Sequence, residues 1–245
     1  MKQNFYLLIS VLLVGIIGFI IFQERKKTNL TFPDFGAALP ENHHILGIDI
    51  SHHQGGINWD LASKMRIGSD SIQFVYLKLT EGTDFKDKRS KQNQKKLKEM
   101  KVPFGVYHFY NPKKGATEQA KFFIENFKIS DLRPVLDIEV QGNLKSTALV
   151  DSVTVFLSTV DSILSIRPII YTYESFYNDF FSESTLSKEW FWIANYTGSS
   201  KAFKRQNVIA WQFTDKGTVD GILEKVDLNT AKPNFWKVVL IGESI

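Results

Sequence analysis

Residues 134–139 read PVLDIE and residues 45–51 read ILGIDIS. In an extended strand successive side chains point to opposite faces, so residues i and i+2 share a face. That rule groups Val135, Asp137 and Glu139 on one face, with Leu136 and Ile138 on the other. It also groups Asp49 with Gly47 and Ser51, opposite Leu46, Ile48 and Ile50. An apolar face of this kind packs outward against helices, leaving the acids to point into a barrel. Both sets of acids close their strands at the C-terminal end, where barrel enzymes build their sites.

Outward from these two segments, β-branched and aromatic runs recur. They are SIQFVYLKLTE (71–81), PFGVYHFY (103–110), PIIYTY (168–173), EWFWIANY (189–196), VIAWQFT (208–214) and GILEKVDLN (221–229). Helical patterns fall at 59–67, 88–100, 116–128 and 147–166, the last with Leu149, Val153, Phe156, Leu157, Val160, Ile163 and Leu164 at helical spacing. After the sixth strand the connections shorten and lose that pattern. The expected fold is α/β, an irregular TIM-like barrel with about five βα units followed by three helix-poor strands.

The chain divides unevenly. Residues 5–22 (FYLLISVLLVGIIGFIIF) form an apolar run broken only by Ser10, Gly15 and Gly18. No small-x-small cleavage site ends the run, so residues 1–27 read as an uncleaved signal anchor with a basic flank, secretion after cleavage being the alternative. The flank Arg25, Lys26 and Lys27 is more basic than the side holding Lys2, which by charge alone would keep the body in the cytoplasm. The chemistry below needs the opposite orientation, and it decides the expectation: a single-pass bacterial membrane protein whose body faces the periplasm or exterior. Residues 28–44 read as a polar linker and 45–245 as one catalytic barrel, a length that single barrels commonly reach.

Of the 245 residues, 43% are hydrophobic and 23% charged, which excludes a disordered or collagen-like chain. With no cysteine, thiolate metal sites, disulfide scaffolds and thiol nucleophiles drop out. A formal charge of +4 is too small to argue for nucleic acid, and none is expected as a partner. The basic residues bunch between Lys86 and Lys101, as a solvated helix face or as an attraction to an anionic surface such as a cell wall.

Crowded inward acids repel one another and lose water, so at least one keeps its proton near neutral pH. A protonated carboxylic acid beside an ionised one is the apparatus of glycosidic bond cleavage. Strand neighbours i and i+2 have Cα atoms about 6.6 Å apart, which leaves inversion and retention both open. Glu81, Tyr107, Phe109, Tyr171, Tyr173, Trp192, Gln212 and Asp227 fall at the ends of the other strands. The aromatics among them suit sugar rings.

The ordered stretches GIDISHHQGGINW (47–59), FVYLKLTEGTDFKD (74–87), PFGVYHFY (103–110), PVLDIE (134–139), RPIIYTY (167–173), WIANY (192–196) and WQFTDKGTVDGILEKVDLN (211–229) resemble the glycoside hydrolase family 25 lysozymes, the Chalaropsis-type N-acetylmuramidases. The resemblance implies a shortened barrel and hydrolysis of the β-1,4 bond between N-acetylmuramic acid and N-acetylglucosamine in peptidoglycan. It implies Glu139 as general acid and Asp137 as the group that stabilises developing positive charge, directly or by orienting the substrate's N-acetyl group. Asp49 and Asp227 would flank them as further catalytic acids. Tyr107, Tyr171 and Trp192 would line the sugar cleft, and Glu81, Phe109 and Gln212, from their places at strand ends, are read as further substrate contacts. Leu79 and Phe213 depart from the usual pattern and bear on substrate fit. No cofactor or metal is expected, and the body is read as a monomer. His52 and His53 follow Asp49 directly and read as hydrogen-bonding groups of that loop, with metal-dependent hydrolysis through the acids as a rival. A non-catalytic glycan-binding barrel is the other alternative.

Overall fold

The alternation of apolar and polar residues closes on itself in space. The computed structural model describes residues 45–242, apart from 65, 68–69 and 129, together with 31–32 and 37–38. Eight strands form the barrel: β1 (Ile45–Ile50), β2 (Asp70–Glu81), β3 (Phe104–Phe109), β4 (Val135–Asp137), β5 (Ile169–Tyr173), β6 (Phe191–Ala194), β7 (Val208–Gly217) and β8 (Val226–Ala231). β1 to β7 pair in parallel, each with the next. β8 closes the ring antiparallel to both β7 and β1. Its direction follows from the short connection after Gly217, since a parallel crossover needs a dozen or more residues.

Helices α1 (Trp59–Ala62), α2 (Ser90–Met100), α3 (Ala116–Asn126) and α4 (Ser146–Leu164) follow the first four strands. After β5 comes only the short α5 (Glu174–Phe176) and a π turn at Tyr177–Phe181; α6 (Phe235–Val239) ends the fold. The expected helix over 59–67 is a single turn, because Arg66–Ile67 instead pairs antiparallel with Asp70–Ser71. The expected eighth strand starts at Val226 rather than at 221. Gly221 adopts φ 84° and its carbonyl accepts from the Asn58 amide at 2.8 Å, which holds the preceding residues as a loop.

The two faces of the strands build two cores. Outside the barrel, Ile48, Ile50, Val106, Leu136 and Ile138 pack with Phe123, Leu149, Val153, Phe156 and Val160. Each such buried side chain contributes roughly 1.5–3 kcal/mol. α4 is long and apolar enough to cross a membrane, but its buried face belongs to this core. Inside, Phe74 stacks on Phe235 with ring centroids 4.6 Å apart, and Tyr76 meets Trp192 at 5.1 Å. Gly47 and Gly105 make room for these rings: a Cβ there would come within 2.3 Å of the Phe74 ring and 2.2 Å of the Tyr76 ring. Aromatic groups therefore plug the lower barrel and leave the polar rim open.

The apolar run 5–22 lies outside the described residues. Of the 28–44 linker, Thr31–Phe32 and Ala37–Ala38 form a two-residue antiparallel ladder.

Candidate active site

At the C-terminal ends of the strands a cavity of about 500 Å³ opens. All ten residues expected at the site line it: Asp49, Glu81, Tyr107, Phe109, Asp137, Glu139, Tyr171, Trp192, Gln212 and Asp227. The inward parity of Asp49, Asp137 and Glu139 is therefore as read from the strands. Leu79 and Phe213, expected to bear on substrate fit, are instead buried in the outer core and do not line the cavity. Alternation explains this, since Leu79 follows Leu77 and Phe213 follows Trp211 on the outward face.

The register of β8 against β1 sets Asp227 opposite Asp49. Like charges directly opposite on adjacent strands repel, so the pair is stable only with a shared proton. The surroundings decide where that proton sits. Asn229 Nδ2 donates to Asp49 Oδ2 at 2.7 Å and Gln212 Nε2 donates to the same oxygen at 2.9 Å. Burial raises Asp49 to about 6, against the opposing pull of these donors. Asp227 lacks them; burial, then the Asp49 charge, pushes it up to about 9, and it donates to Asp49. Behind them Trp192 Nε1 donates to Asn229 Oδ1 at 2.9 Å, and the Tyr171 hydroxyl donates to Gln212 Oε1 at 2.8 Å. Tyr196 donates to that same oxygen.

The second pair continues the chain beyond β4. Ile138 N donates to the Tyr171 carbonyl at 3.0 Å, which keeps Glu139 on the inward face two residues after Asp137. Burial, then the Glu139 charge and a hydrogen bond to Glu139, hold the Asp137 carboxyl well above its ordinary range. Asp137 Oδ1 is buried with no hydrogen-bond partner among the described residues. Tyr173 lines the same cavity, and burial, then the Glu139 charge, raises its hydroxyl above the usual range.

Lys78, Tyr196, Asp215 and Asn229 also belong to the site and were not foreseen. Lys78 is the informative one. Its Nζ lies 2.6 Å from Glu81 Oε2 and 4.6 Å from the Phe109 ring centre. Residues 78 and 81 share the inward face because the ladder with β3 shifts between Lys78 and Thr80, a bulge that resets the parity. Thr80 accordingly points outward, 2.8 Å from His108 Nδ1. No local signal marks that bulge. Asn229 was legible in principle, since it shares a face with Asp227 at i+2.

His52 holds the first loop: its backbone N and its Nδ1 lie 2.7 and 2.9 Å from Asp87 Oδ2. This is the hydrogen-bonding role expected of the pair. His53 stacks on it, the ring centroids 4.1 Å apart. Among the described residues no group of His and acids is arranged to hold a metal ion.

A barrel whose rim gathers neighbouring carboxyls beside aromatic rings has the apparatus of a glycoside hydrolase. The family described as "Glycosyl hydrolases family 25" matches residues 48–222, and the chain belongs to it. The uncharacterized protein YegX of Escherichia coli K12 is 30% identical over 228 residues, covering 92% of this chain and 81% of the relative. Lysozyme M1 of Streptomyces globisporus is 29% identical over 201 residues, 76% of this chain and 67% of its own. A family 25 glycosyl hydrolase structure from Bacillus anthracis has the same fold, with TM-score 0.71 at 22% identity over 81% of this chain and 95% of that one. The bacterial lysozyme from Streptomyces coelicolor gives 0.67 at 26%, over 81% and 96%.

The linkage of Asp227 has a definite sign. A carboxyl raised from 3.8 to about 9 stabilises the fold fully below pH ~4, and that contribution is lost as pH rises through about 9. Stability measured by denaturant titration is expected to fall from pH 6 to 9, and Asp227→Asn is expected to flatten that fall. An equally steep decline in the variant would contradict the shared-proton assignment.

Proposed function

We propose that this barrel is a peptidoglycan muramidase. It hydrolyses the β-1,4 bond between N-acetylmuramic acid and N-acetylglucosamine through the Asp137–Glu139 pair. The observation that carries the reading is that pair: two neighbouring carboxyls lining one cavity, with Asp137 Oδ1 buried and without a hydrogen-bond partner among the described residues. In the free protein burial, then the Glu139 charge, favour a proton on Asp137.

A substrate acetamide N–H donating to Asp137 Oδ1 satisfies the lone oxygen and favours ionised Asp137, which passes the proton to Glu139. Glu139 then protonates the glycosidic oxygen as the C1–O bond breaks, the bonding electrons leaving with that oxygen. The Asp137 charge, directly or through the acetamide it orients, stabilises the positive charge at C1. Water adds its hydroxyl to that carbon and returns its proton to the Asp137–Glu139 pair, which leaves a new reducing end and restores the acid. The Asp49–Asp227 pair sits alongside with Gln212, and Tyr107, Tyr171 and Trp192 wall the sugar.

We also infer that residues 5–22 anchor the chain in the bacterial membrane with the barrel outside. The support is the length of the apolar run and the location of the wall; the Lys and Arg count of its flanks points the other way. Protease added to intact spheroplasts is expected to remove the barrel of the full-length chain; a barrel degraded only after lysis would reverse the orientation.

Glu139→Gln is expected to lower release of reducing ends from purified walls by a factor of about 10² or more, with the thermal transition retained. EDTA is expected to leave the native rate unchanged. Wall hydrolysis at full rate by the variant, or wall binding by the native chain without any new reducing ends, would contradict the proposal.

A further inference from the structure

The segment from Lys86 to Lys101 holds eight Lys and Arg against two acids, Asp87 and Glu99. Elsewhere in residues 45–242 there are 18 basic residues against 20 acids. One turn and one helix therefore supply all the net positive charge of the body. Seven lysines of the segment are exposed, while α2 buries only Ser90, Asn93 and Leu97. Lys91, Lys95 and Lys98 repeat at i, i+4 and i+7, a stripe of about 11 Å along the axis. Lys88 extends it at one end and Lys101 at the other.

Internal acids leave most of this charge unneutralised. Asp87 is buried and committed to His52 and to the Arg89 amide. Glu99 pairs with Lys95 at 3.9 Å and Lys96 at 3.3 Å, both exposed pairs worth little. Among the described residues Lys88, Lys91, Lys98 and Lys101 form no ion pair.

The stripe starts at the mouth of the cavity. β2 ends at Glu81, Phe85–Lys86 folds back on it, and the Phe85 ring lies 5.5 Å from Lys78 Nζ inside the cleft. Besides Asp137 and Asp227, which keep their protons, the cavity is lined by Asp49, Glu81, Glu139 and Asp215 against Lys78. An acidic cleft repels an acidic polymer, and peptidoglycan strands carry short peptides with free carboxylates. A cationic face that runs from this rim down the outside of the barrel, where Lys98 Nζ lies 5.8 Å from the Phe104 ring at the start of β3, gives polymer reaching out of the cleft an attractive contact and raises its local concentration.

We propose that the lysine face of α2 is an electrostatic docking strip for the carboxylate-bearing peptides of the wall polymer. The proposal rests on the muramidase reading for its ligand, but its test does not need turnover. The probe is purified wall freed of phosphate polymers by hydrofluoric acid, pelleted with the Glu139→Gln chain.

Binding is expected to weaken about tenfold between low salt and about 0.3 M sodium chloride. The added changes Lys88→Gln, Lys91→Gln, Lys95→Gln and Lys98→Gln are expected to remove most of that salt dependence. Walls with carboxylates converted to amides by carbodiimide and glycinamide are expected to bind the lysine-bearing chain no better than native walls bind the substituted one. Equal binding of both chains, or undiminished binding to amide-blocked walls, would overturn the strip. Lysine-dependent binding to phosphatidylglycerol vesicles but not to walls would overturn it in favour of a membrane partner. If the strip alone fails, walls still yield reducing ends with unmodified Glu139; if the muramidase reading fails, no reducing ends form whatever the binding.

Discussion

The structure turns on a collision that the backbone enforces. Pairing of Val226–Ala231 against Ile45–Ile50 puts the half-buried carboxyl of Asp227 directly across from the buried one of Asp49. Two charged carboxylates in that position would push the strands apart, and the barrel closes at this seam. A proton held on Asp227, with Asn229 and Gln212 donating to Asp49, turns repulsion into a hydrogen bond. The same logic repeats across the cavity at Asp137 and Glu139. Closure of the fold and retention of acid protons near neutrality are thus one requirement.

The remainder of the barrel supports this arrangement. Phe74, Tyr76, Trp192 and Phe235 fill the lower interior and keep bulk water from reaching the pairs from below. The polar layer above them orients the acids through Trp192, Asn229, Tyr171 and Gln212. Removal of water raises the carboxyl pKa values, and fixed donors choose which member of a pair stays ionised. His108 shows the reverse case on the outer face: burial drives it down to about 3, so it serves as a neutral link between Thr80 and Gln119.

Much of this was legible in the chain because strand alternation is a strict rule. PVLDIE and ILGIDIS each put their acids opposite an apolar face, and the expected site residues all reached one cavity. What escaped was whatever breaks alternation or depends on direction. The bulge at Lys78–Thr80 brought Lys78 beside Glu81, and nothing local distinguishes that bulge from a regular strand. The antiparallel course of β8 is absent from any hydropathy pattern, yet it decides that Asp227 faces Asp49. Leu79 and Phe213 stood in conspicuous motifs but on the outward face, where they fill core instead of meeting sugar. The first helix failed for a similar reason, its second half being drawn into a ladder with β2.

Carbon-13 NMR of side-chain carboxyls across the pH range tests the central idea most directly, with Asn substitutions assigning Asp49, Asp137 and Asp227. Asp227 is expected to keep its proton at pH 7 and release it near 9, and Asp137 to titrate well above an ordinary aspartate. Titration of both groups below pH ~5, as for solvated carboxylates, would contradict that idea.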